Sequence, residues 1–538
     1  MDSKKKLIII ISLLVVCLIA GFFVYQSKQG DIRSTTLITA FTEMPQTLNP
    51  VFDQNSTGLI LGNVVFDGIT NRSGIRKDDF RFGIANDILQ DETNPKLYTI
   101  EVNTDLKWHD YTEENKHTVS AKDVRFTYEC IMEKENNSPL RARISKLIDR
   151  LEVESDSEIK IYFKEAISPN KVSWLLPFKI IPRTYFGKAM STNLRTDAVA
   201  QEFGKMPIGS GKYNVDEWKG GTILLKEFAL NVEAVDGEEK KAVIKGKKVE
   251  RIQATLVQDV QKQAKMLIDG TIDLVLDSDP DLHKMLDEKG LKKEKYVPLH
   301  FYALAFNTTK EPFDDKMIRR AISMSIDKEE VTKLVVSENA QAYINYGPFP
   351  HNDDKRYTKF TRYLKHDVSK ARKILDDFGA FTATMIYPEE EAGRMQRVAA
   401  QITKMASDVG ITINSKALGL AYKTQLQQKN YELALVKHSG FSDGYNIAGL
   451  YTSNNPQNIT GLKLPKLDKV LDMWQNTAFW AERLPLAKIV HKEILNQSPY
   501  VFLFSLPTSA YFTPRLSSVT IKDPHALLSS VHSWRFAK

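Results

Sequence analysis

The chain has 538 residues, 42% hydrophobic and 26% charged, which is the balance of a folded protein of several domains and excludes a chain that is disordered as a whole. Its 74 basic and 67 acidic residues leave a formal charge of +7, and no basic run extends beyond Lys4-Lys5-Lys6 and scattered lysine pairs, so a nucleic-acid surface of the usual strongly basic kind is excluded. Two cysteines exclude a disulfide framework and a cysteine metal cluster; Cys17 lies in an apolar N-terminal run, and Cys130 falls on a predicted helix as a small buried hydrophobe. No internal repeat or low-complexity tract is present.

In chain order, Leu7 to Tyr25 comes first. It is apolar but for Ser12, Gly21 and Tyr25, follows three lysines, and would span roughly 28 Å as a helix, close to a bilayer core. A cleaved signal needs small residues before the cut, whereas Gly21-Phe22-Phe23-Val24-Tyr25-Gln26 is bulky, and a lipoprotein signal needs a small residue where Val16 precedes Cys17. An uncleaved single-pass anchor is therefore favoured over a cleaved signal. The lysines stay cytoplasmic, so the rest of the chain is extracytoplasmic, on a polar stalk over residues 26–34.

Leu37 to Phe41 is a predicted strand, followed by Met44 to Pro50, where two prolines enforce an irregular path. Tyr98 to Val102 alternates as a strand. A helix then starts at Ser120, with Asp123 in its first turn. Gly270 is a predicted helix stop before a buried strand, and the charged stretch 237–248 reads as a solvated loop or hairpin. Around Pro312 the chain turns; Asp314 is the expected cap and Asp315 complements the helix dipole, with Ile318, Ala321, Ile322 and Ile326 along one buried face. Asp327 and Glu330 open a second helix, in a capping-box pattern. Asp367 to Gly379 is a capped helix with Ala371, Ile374, Leu375 and Phe378 inward and Gly379 as its stop.

Several tempting motifs fail on context. Gly209-Ser210-Gly211-Lys212 lacks the earlier glycine and the Ser or Thr after Lys that a phosphate loop needs, since those positions hold Met206 and Tyr213. His109-Asp110 reads as a surface pair at a strand end rather than as metal ligands, and no H-E-x-x-H pair occurs among the ten histidines. Gly440-Phe441-Ser442-Asp443-Gly444 matches G-x-S-x-G literally, but Gly444, Asn446 and Gly449 make a poor helix start after the candidate strand Leu433–Val436. No enzyme, metal site or cofactor is expected.

One stretch, Ala305 to Lys328, resembles the "aFNt…PF.D..vR.AIs.AID+" wording of the family 5 extracellular solute-binding proteins of ABC importers, the oligopeptide, dipeptide and nickel-binding proteins. Further resemblances run in family order: Thr47-Leu48-Asn49-Pro50, Val64 to Ile69, Lys107 to Tyr128, Pro207 to Tyr213, Ile268 to Leu274, Asp367 to Gly379, and Asn458 to Leu471. They cover most of residues 37–471. Departures are Tyr111 with a polar insertion through His117 where the family has Gly and a short turn, and the stretch after Leu230.

This resemblance implies an α/β type II periplasmic-binding-protein fold with two hinged lobes and an inserted third domain. The implied division is the anchor and stalk at 1–34, a discontinuous first lobe at 35–75, 195–295 and 506–538, an inserted domain at 76–194, and a second lobe at 296–505. It also implies capture of a small ligand, an oligopeptide or dipeptide before other classes, and delivery by a monomer to ABC permease subunits; the alternative is a membrane-tethered sensor or scaffold with the same fold. Asp443 falls on the family aspartate that pairs with a ligand's α-ammonium, with Phe441, Tyr445 and Asn446 around it, although Asp before Gly is equally a turn cap. Gln54, Asn55 and Ser56 fall where the first lobe offers main-chain partners to an extended ligand, and a solvated loop is the alternative.

Overall fold

The structure, a computed structural model, describes residues 32–52, 55–72, 80–167, 172, 176, 178–186, 193–231, 246–277, 280–296, 300–336, 342–349, 364–389, 392–439, 447–477, 480–521 and 526–537. The expected anchor at 7–25 lies outside them. Among the described residues no helix is long and apolar enough to cross a membrane. The chain divides into two units, parting at Val275/Leu276 and at Ala510/Tyr511.

A seven-stranded mixed sheet runs in the order Lys292–Tyr296, Thr508–Phe512, Leu274–Asp277, Thr36–Phe41, Arg251–Leu256, Thr222–Glu227, Tyr213–Lys219. At its centre Thr36–Phe41 pairs in parallel with Arg251–Leu256, as the apolar run in the sequence requires of a strand covered on both faces. A four-stranded antiparallel sheet is built within the first unit from Ala85–Gln90, Leu97–Val102, Glu158–Phe163 and Ile148–Val153, in that order. Helix Ala121–Met132 begins as expected: the Asp123 carboxylate accepts from the backbone N–H and hydroxyl of Ser120 at 2.9 and 2.8 Å, and from the Arg183 N–H at 2.8 Å. Cys130 on this helix is buried, and burial pushes its thiol well above the ordinary range.

An ion cluster closes the start of the first unit. Asp273, whose side chain is wholly buried, accepts from Arg33 at 2.9 and 3.0 Å, from Arg515 at 2.8 Å and from the Ile38 N–H at 2.9 Å. Burial raises its pKa, against the pull of the Ile38 hydrogen bond and Arg33.

The second unit is a six-stranded sheet in the order Tyr343–Ile344, Tyr500–Ser505, His300–Phe306, Leu433–Ser439, Phe381–Pro388, Ile411–Leu418. Strand His300–Phe306 is buried at every position because it is covered on both faces. Tyr302, Leu304 and Phe306 enter one core with Ile318, Ile322 and Val398, whereas Phe301, Ala303 and Ala305 enter another with Leu471, Trp474 and Ile494.

Helix Lys316–Ser325 carries the expected inward face. Its cap lies one residue later than the sequence suggests: Asp315, not Asp314, accepts from the Met317 N–H at 2.7 Å. Gly379 ends helix Val368–Phe378 at φ 97°, a conformation open to glycine; Ala371 and Leu375 are buried as expected, but Phe378, expected inward, is half exposed at the last position of the helix, against Phe381. Arg319 is only 2% exposed. It donates to the carbonyls of Phe313 at 2.7 Å, Asp314 at 2.9 Å and, through two nitrogens, Gln497 at 2.9 and 2.6 Å. The guanidinium thus joins the turn before its own helix to the end of helix Trp480–Gln497.

Replacing Arg319 with Met is expected to cost roughly 2–4 kcal/mol, because the buried Phe313 carbonyl and the partly buried carbonyls of Asp314 and Gln497 lose their donor. Arg319→Lys should recover only part of this, since an ammonium cannot present the planar fork. Hydrogen exchange at the amides of strand Tyr500–Ser505 reads the loss locally, and a change below about 1 kcal/mol would show the guanidinium to be dispensable.

Candidate functional site

Two segments carry the sequence-predicted site residues, one in each unit. In the first, helix Ser56–Val65 starts at Asn55, whose backbone is extended and whose side chain accepts from the Gly58 N–H at 3.1 Å. The Ser56 hydroxyl donates to the Glu43 carboxylate at 3.1 Å, and the Thr57 hydroxyl donates to the Glu43 carbonyl at 2.9 Å. These bonds moor the segment 43–50 to the helix. Asn49 supports the turn from below by accepting from the Val51 N–H at 3.0 Å. Both described residues of the expected Gln54-Asn55-Ser56 group therefore have structural work for their side chains. Gln54 lies outside the described residues.

The opposite end of helix Ser56–Val65 explains the false phosphate loop. A side chain at Gly209 would place its Cβ 1.9 Å from the Val65 carbonyl, and one at Gly211 would come within 2.3 Å of the Val64 carbonyl. The two glycines are there to let the turn meet the helix end, where the Gly211 N–H donates to the Val65 carbonyl at 2.9 Å. His109 clasps the same turn. Its Nδ1 accepts from the Gly209 N–H at 3.0 Å while Nε2 donates to the Gly211 carbonyl at 2.9 Å, so both ring nitrogens are occupied by backbone. Burial holds the imidazole neutral, lowering its pKa to about 4 against a weaker upward pull from the Gly211 bond and from Asp67 and Asp110. The expectation of a surface pair at a strand end is thus corrected: His109 is a partly buried structural clasp, and Asp110 turns instead to His117 at 2.7 Å. Among the described residues no group of three His, Cys, Asp or Glu side chains is placed to hold a metal ion.

In the second unit, strand Leu433–Ser439 leads into residues 440–446. Phe441, Asp443, Tyr445 and Asn446 lie outside the described residues, as does the G-x-S-x-G match. Ser439 pairs with His300 and His438 with Phe301 in an antiparallel ladder. The His438 ring packs on Phe301 and Tyr500, with centroids 5.2 and 5.4 Å apart, and burial lowers its pKa to about 4. His300 is lowered further, to about 3, by burial first and then by Lys437 and Arg394; its Nε2 accepts from the Leu506 N–H at 3.3 Å. Beside it, Asn345 donates to the Ser505 hydroxyl at 2.6 Å, and that hydroxyl donates to the His300 carbonyl at 2.7 Å. Tyr302 stacks on Phe504 at 4.6 Å, with the Lys437 ammonium 5.5 Å from the Tyr302 ring. The sequence gives no signal for this polar network, whose members stand 160 and 205 residues apart along the chain.

Residues 81–459 match the family described as bacterial extracellular solute-binding proteins, family 5 Middle. The oligopeptide-binding protein AppA of Bacillus subtilis is 21% identical over 518 residues, 92% of this chain and 90% of that protein. The dipeptide-binding protein DppE of the same organism is 23% identical over 309 residues, 55% of this chain and about half (54%) of its own length. Among solved structures, the ABC transporter substrate-binding protein CtaP of Listeria monocytogenes superposes with a TM-score of 0.77 at 20% identity, covering 94% of this chain and 99% of that one. AppA of B. subtilis in complex with a nonapeptide gives 0.71 at 17% identity, covering 94% and 99%. These likenesses establish the fold expected from the sequence, the α/β type II arrangement of the family.

The His109 clasp makes a pH prediction. A pKa lowered on folding from 6.5 to about 4 means that His109 contributes stability fully above pH 6.5 and loses it as the pH falls toward 4. His109→Gln should therefore make the fall in stability across that window shallower by up to about one proton, about 1.4 kcal/mol per pH unit. Urea midpoints of both proteins at a series of pH values between 7 and 4 decide this, and parallel curves would refute the neutral clasp.

Proposed function

The chain belongs to the family 5 bacterial extracellular solute-binding proteins, and from that membership we propose that it captures an oligopeptide or dipeptide and delivers it to the permease subunits of an ABC importer. The observation that carries this reading is the family match over residues 81–459, with relatives along the chain that are themselves named for oligopeptides and dipeptides. The fold alone would not choose the ligand: the structural neighbour NikZ of Campylobacter jejuni, in complex with Ni(L-His), gives a TM-score of 0.73 at 19% identity.

The proposed ligand contacts are the Asp443 carboxylate to the peptide ammonium, with Phe441, Tyr445 and Asn446 beside it, and main-chain groups at Gln54, Asn55 and Ser56. Main-chain recognition fits the described side chains, because Asn55 and Ser56 already use theirs to cap and moor the helix, and an extended peptide asks only for backbone partners. Capture would involve closure of the lobe 296–505 on the lobe built from 35–75, 195–295 and 506–538, with 76–194 as the inserted domain. The protein acts without catalysis, and the segment 7–25 holds it at the extracytoplasmic face, where tethering raises its effective concentration at the permease.

Mass spectrometry of small molecules that co-purify with the full chain should find peptides. A sugar or a metal chelate in their place would overturn the ligand class. For the contact itself, Asp443→Asn is expected to weaken binding of a free-amine peptide by on the order of 2–5 kcal/mol, roughly 30-fold or more. N-acetylating the peptide should cost the wild type a similar amount and the Asn variant much less. Calorimetry on the four combinations reads the coupling; additive penalties, or unimpaired binding by the variant, would make Asp443 a turn cap.

The anchor has its own measurement. N-terminal sequencing of the protein from membranes should begin ahead of Leu7, and a mature chain starting near Ser27 would overturn the tether.

A further inference from the structure

The polar insertion through His117, where the sequence departs from the family pattern, folds back on its own start. The Trp108 N–H donates to the His117 carbonyl at 3.1 Å, and the Asn115 amide donates to the Asp110 carbonyl at 3.2 Å. This return sets the His117 ring against Asp110, with Nδ1 2.7 Å from Oδ1, and beside the wholly buried ring of Trp108. The other ring nitrogen, Nε2, is hydrogen-bonded to the Thr184 hydroxyl. Thr184 lies on the short helix Arg183–Phe186, which is held to helix Ala121–Met132 where the Arg183 N–H donates to Asp123 at 2.8 Å and the Ile181 N–H donates to the Thr127 hydroxyl at 3.0 Å. Thr184 is exposed, whereas the His117 side chain behind it is only 11% exposed.

We propose that Thr184 is a covalent acyl-acceptor site, with His117 as its general base and Asp110 positioning that base, and that it takes acyl groups from small activated esters arriving from solvent. The proton positions carry this. An ionised carboxylate only accepts, so the hydrogen between Asp110 and His117 belongs to Nδ1. Nε2 of the neutral ring is then an acceptor, and the Thr184 hydroxyl must be its donor. A hydroxyl whose proton points at a base, with the base held in that tautomer by a carboxylate, is the arrangement of an activated nucleophile. Separate pieces of backbone fix the three groups, so the arrangement exists before any ester arrives. In the reaction the Thr184 oxygen attacks the acyl carbon while its proton passes to Nε2. A C–O bond forms, the bond to the leaving group breaks, and the leaving oxygen departs with the electron pair. The imidazolium, facing Asp110, then releases its proton to water. All three residues belong to the first unit and none is a proposed ligand contact, so the inference stands apart from the reading of the ligand site.

The test is a short exposure of the full chain to p-nitrophenyl acetate, with the acetyl groups located by peptide mass spectrometry. Thr184 should be acetylated at least about a hundredfold faster than the exposed hydroxyl of Ser155, and in urea-unfolded chain the two rates should become equal. His117→Gln, which can bond the hydroxyl but cannot take its proton, should bring Thr184 down to the Ser155 rate and leave the lysine labels unchanged. Thr184→Ser should keep the label and Thr184→Val should lose it. For Asp110, nitrogen NMR of the histidine rings should find the hydrogen of His117 on Nδ1 in the wild type and on Nε2 in Asp110→Asn, with acetylation of Thr184 slowed at least about tenfold. Equal rates at Thr184 and Ser155 in the folded chain, a Thr184 rate unmoved by His117→Gln, a preference that survives unfolding, an acetyl group on His117 in place of Thr184, or a wild-type ring with its hydrogen on Nε2 would each overturn the proposal.

Discussion

A guanidinium in a protein interior is tolerated where backbone carbonyls answer its donors, and the second unit holds one with four of its five donors so placed. Arg319 presents its fork to three carbonyls drawn from two places, the Phe313–Asp314 turn and the last residue of helix Trp480–Gln497. Helix ends leave carbonyls without internal partners, so a buried end needs a donor from elsewhere. Arg319 supplies it across 178 positions of sequence. Burial lowers its pKa to about 10, and Asp315 and Asp314 pull it back up, so it remains a cation at any ordinary pH. With that joint fixed, helix Lys316–Ser325 lies against strand His300–Phe306, and the alternation of that strand divides two cores between its faces.

The same device recurs at other conspicuous sequence motifs. Asp273 gathers Arg33, Arg515 and the Ile38 N–H; Asp123 gathers Ser120 and Arg183. Asn458 holds its own turn, donating to the carbonyls of Thr452 and Leu462 at 3.2 and 2.8 Å and accepting from the Gly461 N–H at 3.1 Å. Each is a polar side chain buried among backbone groups, where an apolar substitute would strand those groups. In this chain several of the motifs that carry the family resemblance coincide with these joints. For that reason the resemblance speaks strongly about fold and weakly about ligand.

How much was legible follows from this. Local rules placed the strand at Leu37–Phe41, the capped helices after Ser120 and Asp367, and the inward faces of helix Lys316–Ser325, because caps and periodicity are written in neighbouring residues. They missed the cap by one residue at Asp314, where two adjacent aspartates offer the same chemistry and only the geometry of the turn selects Asp315. They misjudged His109 because its partners, Gly209 and Gly211, stand a hundred residues away. Asn55, expected as a main-chain ligand contact, also caps helix Ser56–Val65 with its side chain, a role that the sequence reading had not assigned to it. The network of His300, Asn345 and Ser505 had no local signal at all.

The electrostatics around the second unit's strand end bear on the proposed role of Asp443. Burial keeps both His300 and His438 uncharged at neutral pH, and the cations beside them are Lys437 and Arg394, which lower His300 further. Neutral imidazoles at positions 300 and 438 offer hydrogen bonds but no compensating charge. If Asp443 is the ligand contact proposed above, neither imidazole cancels its charge, and a cation that arrives with the ligand supplies its whole charge on binding. A peptide ammonium has that charge and three donors, whereas a neutral sugar has neither. Under that proposal, neutral histidines add no further positive charge to that of Lys437 and Arg394, and so nothing more to repel an arriving ammonium.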